Sequence, residues 1–355
     1  MPSTLPQPTD SHRRLLLTGA AGLVGSSLAA RCLEAGWEVL GVDDLSGGWR
    51  ERLPEHPRLD LVVDDAARPG LLADLIRRWR PAHLVHLAAR VGVRAVLADP
   101  EGCRAVNLRL SSAVGEAVAA SPAGATPRVW AASSSEVYAD SPEPLAEDAA
   151  LRPTTGAGRW AYAASKRLGE ECLDAALAGL PGASPVHLRF FNVVGPGQDA
   201  ESGMVLPTFV ERALAGQPLP VHGSGEQLRT YAHVDEVART LLELLERQEA
   251  PAGALNLGGQ ARATVLELAH CVQRLAPTAP ALESIDPRLE LGERFEEVPA
   301  REPDLGRLAR LGVSLPSADL EAIVADALAR HPDLARPASC TSSPAACASP
   351  ASSPA

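Results

Sequence analysis

The sequence predicts an α/β fold, a doubly wound parallel sheet followed by a smaller C-terminal α/β lobe. Three observations predict it. Short apolar runs alternate with helix-patterned segments through the first half of the chain, the order that a parallel sheet needs for its crossovers. The first run, residues 15–17 (LLL), ends in Thr18 and a turn with glycines at 19, 22 and 25. The second run, residues 37–42 (WEVLGV), ends in the acidic pair Asp43 and Asp44.

The elements follow in order. The first apolar run reads as a strand buried on both faces. Leu23, Val24, Leu28 and Ala29 continue from the turn with helical spacing. Strand, glycine turn and helix start together make a seat for a pyrophosphate, because a helix N-terminus offers free N–H groups and positive dipole charge. Gly19 and Gly22 let the backbone approach the phosphates, and Leu23 and Val24 bring the first N–H groups. A plain structural turn is the alternative. Asp43, with Asp44, stands at the spacing of an acid that accepts from adenosine ribose hydroxyls, which favours NAD over NADP; otherwise the pair caps a turn. Residues 58–63 give a third strand ending at Asp64 and Asp65. Asp64 could accept from an adenine amino group or act as an ordinary cap for the helix expected over 71–79. Residues 82–88 are a fourth strand, 100–120 a long helix containing Asn107, and 128–133 a fifth strand.

The chain has 355 residues and a net charge of −11, enough length for a sizeable core and the wrong sign for a nucleic-acid footprint. No 18-residue apolar run suggests a membrane span, and the N-terminal stretch lacks the apolar core of a secretory signal. The cysteines at 32, 103, 172, 271, 340 and 347 show no C-x-x-C spacing and suggest reduced thiols of a cytoplasmic protein, with neither a zinc site nor a disulfide framework. Residues 1–12 and 333–355 are expected to be disordered. Residues 13–190 read as the dinucleotide-binding domain, with 230–260 contributing, and 191–332 mainly as a substrate-binding lobe.

The chemistry gathers after the fifth strand. Ser133, Ser134, Ser135 and Glu136 follow it directly, and Tyr162 and Lys166 fall at Y-x-x-x-K spacing on one face of a helical stretch. Free tyrosine titrates near about 10 and is a poor base at neutral pH. A nearby ammonium, with the positive nicotinamide ring, would favour the phenolate. That phenolate could take a proton from a sugar hydroxyl as its carbon gives hydride to NAD, with Ser134 holding the same hydroxyl. The alternative is a core tyrosine beside a solvated lysine.

With these residues in view, the chain resembles the extended short-chain dehydrogenase/reductase family, in its NAD-dependent nucleotide-sugar epimerase/dehydratase branch. TGAAGLVG and VDDLSGG are similar to that family's phosphate turn and ribose-binding strand end. HLAA, with Leu87, Ala88 and Ala89, and Asn107 match its central-strand and helix motifs around the cofactor. ASSSEVY places Ser134 and Ser135 in the catalytic serine/threonine loop, and YAASK supplies Tyr162 and Lys166. RFFNVVGPGQ resembles the strand that contacts nicotinamide and sugar, with Asn192 at the substrate-amide position. The resemblance implies a Rossmann-type fold, NAD as cofactor, and Arg229 on the diphosphate of a nucleotide sugar, most often a UDP-sugar. It places a second nucleotide-contacting arginine at Arg301. His233 and Asp235 read as structural capping, and Glu267, Glu293 and Glu296 as solvated faces. Helices near 100–120 and 160–178 would pair across a homodimer.

The chemistry shared by such enzymes is transient oxidation at sugar carbon 4. Glu136 discriminates among its outcomes: SSEVY resembles the T-S-E-V-Y of UDP-glucuronate decarboxylases and GDP-mannose dehydratases, whereas simple 4-epimerases usually carry a small or neutral residue there. Ser135 replaces the aspartate typical of dTDP-glucose 4,6-dehydratases. The sequence therefore leans to a decarboxylase-like enzyme, with a UDP-hexose or UDP-uronate 4-epimerase as runner-up. A 4,6-dehydratase and a catalytically silent NAD-binding protein stand behind these. Glu136 could also simply order its loop.

Overall fold

The computed structural model describes residues 11–122, 124–249, 251–291 and 298–331. The first half runs β1 (Arg14–Thr18), α1 (Leu23–Glu34), β2 (Glu38–Asp43), β3 (Leu59–Val63), α2 (Leu71–Trp79), β4 (His83–His86), α3 (Val93–Ala98), α4 (Pro100–Ala119), β5 (Arg128–Ser134), α5 (Ala161–Leu177) and β6 (Val186–Phe191). The second half runs β7 (Val193–Val194), α6 (Val205–Leu214), β8 (Leu219–His222), β9 (Leu228–His233), α7 (Val234–Leu245), β10 (Gly253–Gly258), β11 (Ala261–Thr264), α8 (Val265–Leu275), β12 (Leu282–Ile285), α9 (Pro287–Leu291), β13 (Ala300–Arg301), α10 (Gly306–Arg310) and α11 (Leu320–Ala329).

Seven strands form one parallel sheet in the order β10-β6-β5-β4-β1-β2-β3. Alternate residues of each strand face opposite layers, so β1 feeds two cores at once. Leu15 and Leu17 pack with Leu28, Val237 and Leu241, the side that carries α1 and α7. Leu16 packs with Leu72, Ile76, Val114 and Leu173, the side that carries α2, α4 and α5. This is the doubly wound Rossmann-type sheet expected. Strand order reverses between β1 and β4, where a doubly wound sheet opens a ligand crevice at its strand C-termini. A third core lies among α6, α8, α11, β8, β9 and β11, built on Phe209, Leu268, Val272 and Val324.

Two details differ from the sequence expectation. Residues 11 and 12, expected within a disordered end, belong to a helical turn, Ser11–Arg13, that leads into β1. Asp64 does not cap α2. Gly70 does so at φ 78, while Asp64 Oδ2 accepts from Arg68 Nε at 2.7 Å. The remainder of both termini, Glu293, Glu296, Cys340 and Cys347 lie outside the described residues. Among the described residues, no helix is long and apolar enough to cross a membrane.

Candidate active site

The glycine turn is built for a phosphate. At φ 71, Gly19 lies so close to the end of β4 that a Cβ there would stand 2.6 Å from Ala88 N and 2.8 Å from the Leu87 carbonyl carbon. Leu87 N in turn donates to Thr18 O at 3.0 Å, so Gly19 lets two strand ends converge. A Cβ on Gly25 would collide with the Gly19 carbonyl oxygen. The N-cap residue Gly22 provides no side-chain acceptor, which leaves the first-turn N–H groups of Leu23 and Val24 to an outside acceptor. The residues present therefore fit a dinucleotide diphosphate. Beside them Asp43 is buried, with Oδ2 accepting from Ala21 N at 2.9 Å and Oδ1 from Leu45 N at 2.9 Å. An ionised carboxylate has about four acceptor positions, so bracing the turn leaves capacity for ribose hydroxyls. Asp44 is exposed and holds Ser46 N at 2.9 Å. Asp64 is half-buried at the end of β3.

Ala89 continues the β4 end into a loop anchored by Asn107. Asn107 Oδ1 accepts from Arg90 N at 2.7 Å, and its Nδ2 donates to Arg90 O at 3.2 Å and Ser165 Oγ at 3.0 Å. Both ends of that amide are taken up by protein, and the contact to Ser165 ties this loop to α5.

Ser134 ends β5, and residues 135–137 form a tight turn beyond it. The Ser134 Oγ accepts from Glu136 N at 3.1 Å and shares a hydrogen bond with the Tyr162 hydroxyl. Ser135 is buried in the same turn. Lys166 Nζ donates to Ala132 O at 2.9 Å and lies 5.9 Å from the Tyr162 ring centroid. The helix thus brings phenol, ammonium and serine hydroxyl together at one strand end.

In the protein without its cofactor, burial, followed by the negative charge of Glu136, pushes the Tyr162 pKa above its ordinary value, and the Ser134 hydrogen bond offsets this only in part. Burial also pushes Lys166 down to about 8, against the opposing influence of Cys103 and Glu170.

Glu136 is the second unusual group. Burial favours its neutral form, but Arg301, then Arg159 and Arg152, overcome this and hold its pKa below the usual carboxylate range. Arg301 Nη1 donates to Glu136 Oε1 at 3.0 Å, with side-chain exposures of 8% and 25%. Arg301 is thus fastened to the turn after β5. It is also paired in register with Arg229 on β9. Burial, then Arg301, push Arg229 down to about 10; its Nη1 donates to Leu228 O at 2.8 Å, and no carboxylate pairs with it among the described residues. Asn192 sits between these parts at φ 30, with Nδ2 donating to Thr230 O at 2.9 Å. His233, as expected, caps α7 by accepting from Asp235 N at 3.2 Å.

Sequence reasoning did not single out Arg159, whose place three residues before Tyr162 was the available signal. Nor did it find the buried pair of Arg189 and Glu170, with bonds of 2.9 and 2.8 Å joining β6 to α5.

A Rossmann-type sheet with Ser134, Tyr162 and Lys166 gathered at the end of β5 defines the class, a dinucleotide-binding α/β fold. The profile of the NAD dependent epimerase/dehydratase family matches residues 15–258, and the chain belongs to that family. It is an enzyme, and NAD is its cofactor. UDP-glucose 4-epimerase of Mycolicibacterium smegmatis is 36% identical over 258 residues, 70% of this chain and 75% of that one. UDP-N-acetyl-alpha-D-glucosaminuronate decarboxylase of Bacillus cytotoxicus is 28% identical over 306 residues, 84% of this chain and 91% of that one. The structure of Thermus thermophilus UDP-glucose 4-epimerase in complex with NAD superposes with a TM-score of 0.75 at 27% identity, covering 89% of this chain and 98% of that one.

Proposed function

We propose that this enzyme oxidises a UDP-uronate at carbon 4 and releases its carboxylate as carbon dioxide. The ion pair of Glu136 and Arg301 carries the reading. Withdrawing and returning a hydride needs a base, a hydroxyl-holding group and the cofactor. A carboxylate and an arginine kept largely out of water cost desolvation free energy, and epimerisation gives them no task. A uronate gives them one, because its carboxylate must be seated next to the carbon that changes.

The NAD-binding role rests on the glycine turn, the N–H groups of Leu23 and Val24, Asp43 with Asp44, and the β4 end; bound NAD supplies a reversible hydride acceptor. Tyr162 takes the proton of the carbon-4 hydroxyl, which Ser134 holds through the hydrogen bond it now shares with the phenol. Lys166 keeps positive charge under the emerging phenolate. The ketone at carbon 4 is β to the carboxylate, so the electron pair of the carbon 5–carbon 6 bond passes into an enolate as carbon dioxide leaves. Carbon 5 then takes a proton from water, which restores the carbon-4 ketone, and carbon 4 would recover its hydride as Tyr162 returns its proton to oxygen 4. Arg301, held by Glu136, places a cation at the sugar end, and Arg229 supplies one to the diphosphate, where a planar guanidinium grips oxygens in pairs. Asn192 and Ser135 line the sugar side.

The 4-epimerase reading keeps one specific support, the 36% identity to the mycobacterial enzyme. On that reading the substrate keeps all its atoms and Glu136 orders the loop. Incubation with UDP-glucuronate, UDP-glucose and dTDP-glucose, with product masses recorded, separates the two. Loss of carbon dioxide from UDP-glucuronate supports the proposal; an isomer of unchanged mass overturns it. We further read the protein as a homodimer through α4 and α5. Within one chain these helices already pack as a pair, with a Cβ on Gly115 falling 2.8 Å from Ala176 Cβ, and the pair would meet its copy as a four-helix bundle. The free thiols of Cys32, Cys103, Cys172 and Cys271 suit the reducing cytoplasm.

A further inference from the structure

The segment after β2 crosses the glycine turn and is fastened to the other lobe. It starts under strain, with Leu45 at φ 60, a region that side chains other than glycine rarely occupy. It then lies directly on the turn. Trp49 N donates to Ala21 O at 3.1 Å, and a Cβ on Gly48 would stand 2.9 Å from the Ala21 carbonyl carbon. Beyond the crossing, the Arg52 guanidinium stacks 4.2 Å from the centroid of the Trp49 ring. Its Nη2 donates to the carbonyl oxygen of Gly197. That carbonyl belongs to the loop after β7, 145 residues further along the chain.

The surroundings favour this placement of Arg52. Asp199, on the same distant loop, and Asp43, at the end of β2, both attract its charge. Burial opposes them, and its Nε is buried without a partner. An arginine held this way is not an ordinary surface side chain, because a desolvated donor left unmatched costs free energy. No step of the mechanism above employs it.

We infer that residues 45–53 form a strap across the NAD diphosphate seat and that Arg52 latches the strap to the substrate lobe, keeping the dinucleotide bound through successive turnovers. The inference rests on the glycine turn being that seat. A reaction that returns its hydride to the sugar consumes no NAD, so the cofactor has no need to leave between cycles. Release requires the strap to lift from Ala21, and the strap lifts only when Arg52 gives up Gly197. Arg52 is a positioning residue and touches no reacting atom.

The test is a pulse–chase. The full-length protein is loaded with radiolabelled NAD and chased with excess unlabelled NAD, and the label retained is followed over time. Arg52→Ala releases NAD at least tenfold faster than wild type, Arg52→Lys falls between the two, and Asp199→Asn gives a smaller rise. Circular dichroism and melting confirm that each variant is folded. Release within twofold of wild type in folded Arg52→Ala overturns the latch. Should that variant fail to fold, unchanged release in both Arg52→Lys and Asp199→Asn overturns it equally. Wild-type release complete within seconds also overturns it. A wild-type protein that takes up no NAD overturns the seat, and the latch with it, which separates failure of the seat from failure of the latch.

Discussion

Replacing Lys166 by Met should stabilise the cofactor-free protein at neutral pH while disabling it. Lys166 is 8% exposed, and burial drops its pKa from 10.5 to about 8. At about 1.4 kcal/mol per pH unit, keeping this ammonium charged in the folded state costs about 3 kcal/mol. Met removes that cost. It also removes the hydrogen bond to Ala132 O, and an orphaned carbonyl costs about 1–2 kcal/mol. The variant should therefore be about 1–2 kcal/mol more stable at pH 7. The sign of the pH dependence follows from the direction of the shift. Below pH 8 both folded and unfolded states carry the proton, so the wild type bears the full cost. Between about 8 and 10.5 the folded state gives the proton up while the unfolded state keeps it, and wild-type stability gains on the variant. The advantage of the variant should shrink through that window and reverse near its top. Urea unfolding of both proteins at a series of pH values measures the difference, and groups that titrate alike in both cancel. A variant less stable than wild type at pH 7, or a difference flat across the window, would refute the reasoning.

Other outcomes follow from the same geometry. Glu136→Gln should slow carbon dioxide release about a hundredfold or more. Because Glu136 helps raise the Tyr162 pKa, the rising limb of the pH–rate profile should also move to lower pH; an unmoved limb would show that Glu136 does not act on the phenol. Arg229→Met should raise KM for the nucleotide sugar about tenfold or more with a smaller change in kcat, read from initial rates. Gly25→Ala should weaken NAD binding about tenfold or more, followed by titration of intrinsic fluorescence, because the new methyl pushes against the Gly19 carbonyl.

The fold was legible because it is written locally. A buried parallel strand needs a short apolar run, and each run here ends where the chain must turn, so β1, β2 and β5 fall within a residue or two of the apolar stretches that announced them. Helix α5 was legible for the same reason, since Tyr162 and Lys166 share a face by spacing alone. What the sequence hid are pairings between distant residues. Glu136 and Arg301 are 165 positions apart, and only the seating of β13 beside β9 brings Arg301 to the catalytic turn. Arg52 and Gly197 escaped for the same reason. Spacing also reports that an ammonium lies near Tyr162, but not that burial and a neighbouring carboxylate oppose the phenolate there. Asp64 shows the limit of local rules at a helix start, where Gly70 took the cap and left the aspartate to Arg68.

All of the proposed chemistry turns on hydride leaving and rejoining carbon 4 while Tyr162 handles the proton. UDP-glucuronate carrying deuterium at carbon 4, turned over by wild type and by Tyr162→Phe, addresses this directly. The account predicts a product that keeps its deuterium at carbon 4, and no turnover by the variant. Deuterium appearing in water, or near-normal turnover by Tyr162→Phe, would contradict it.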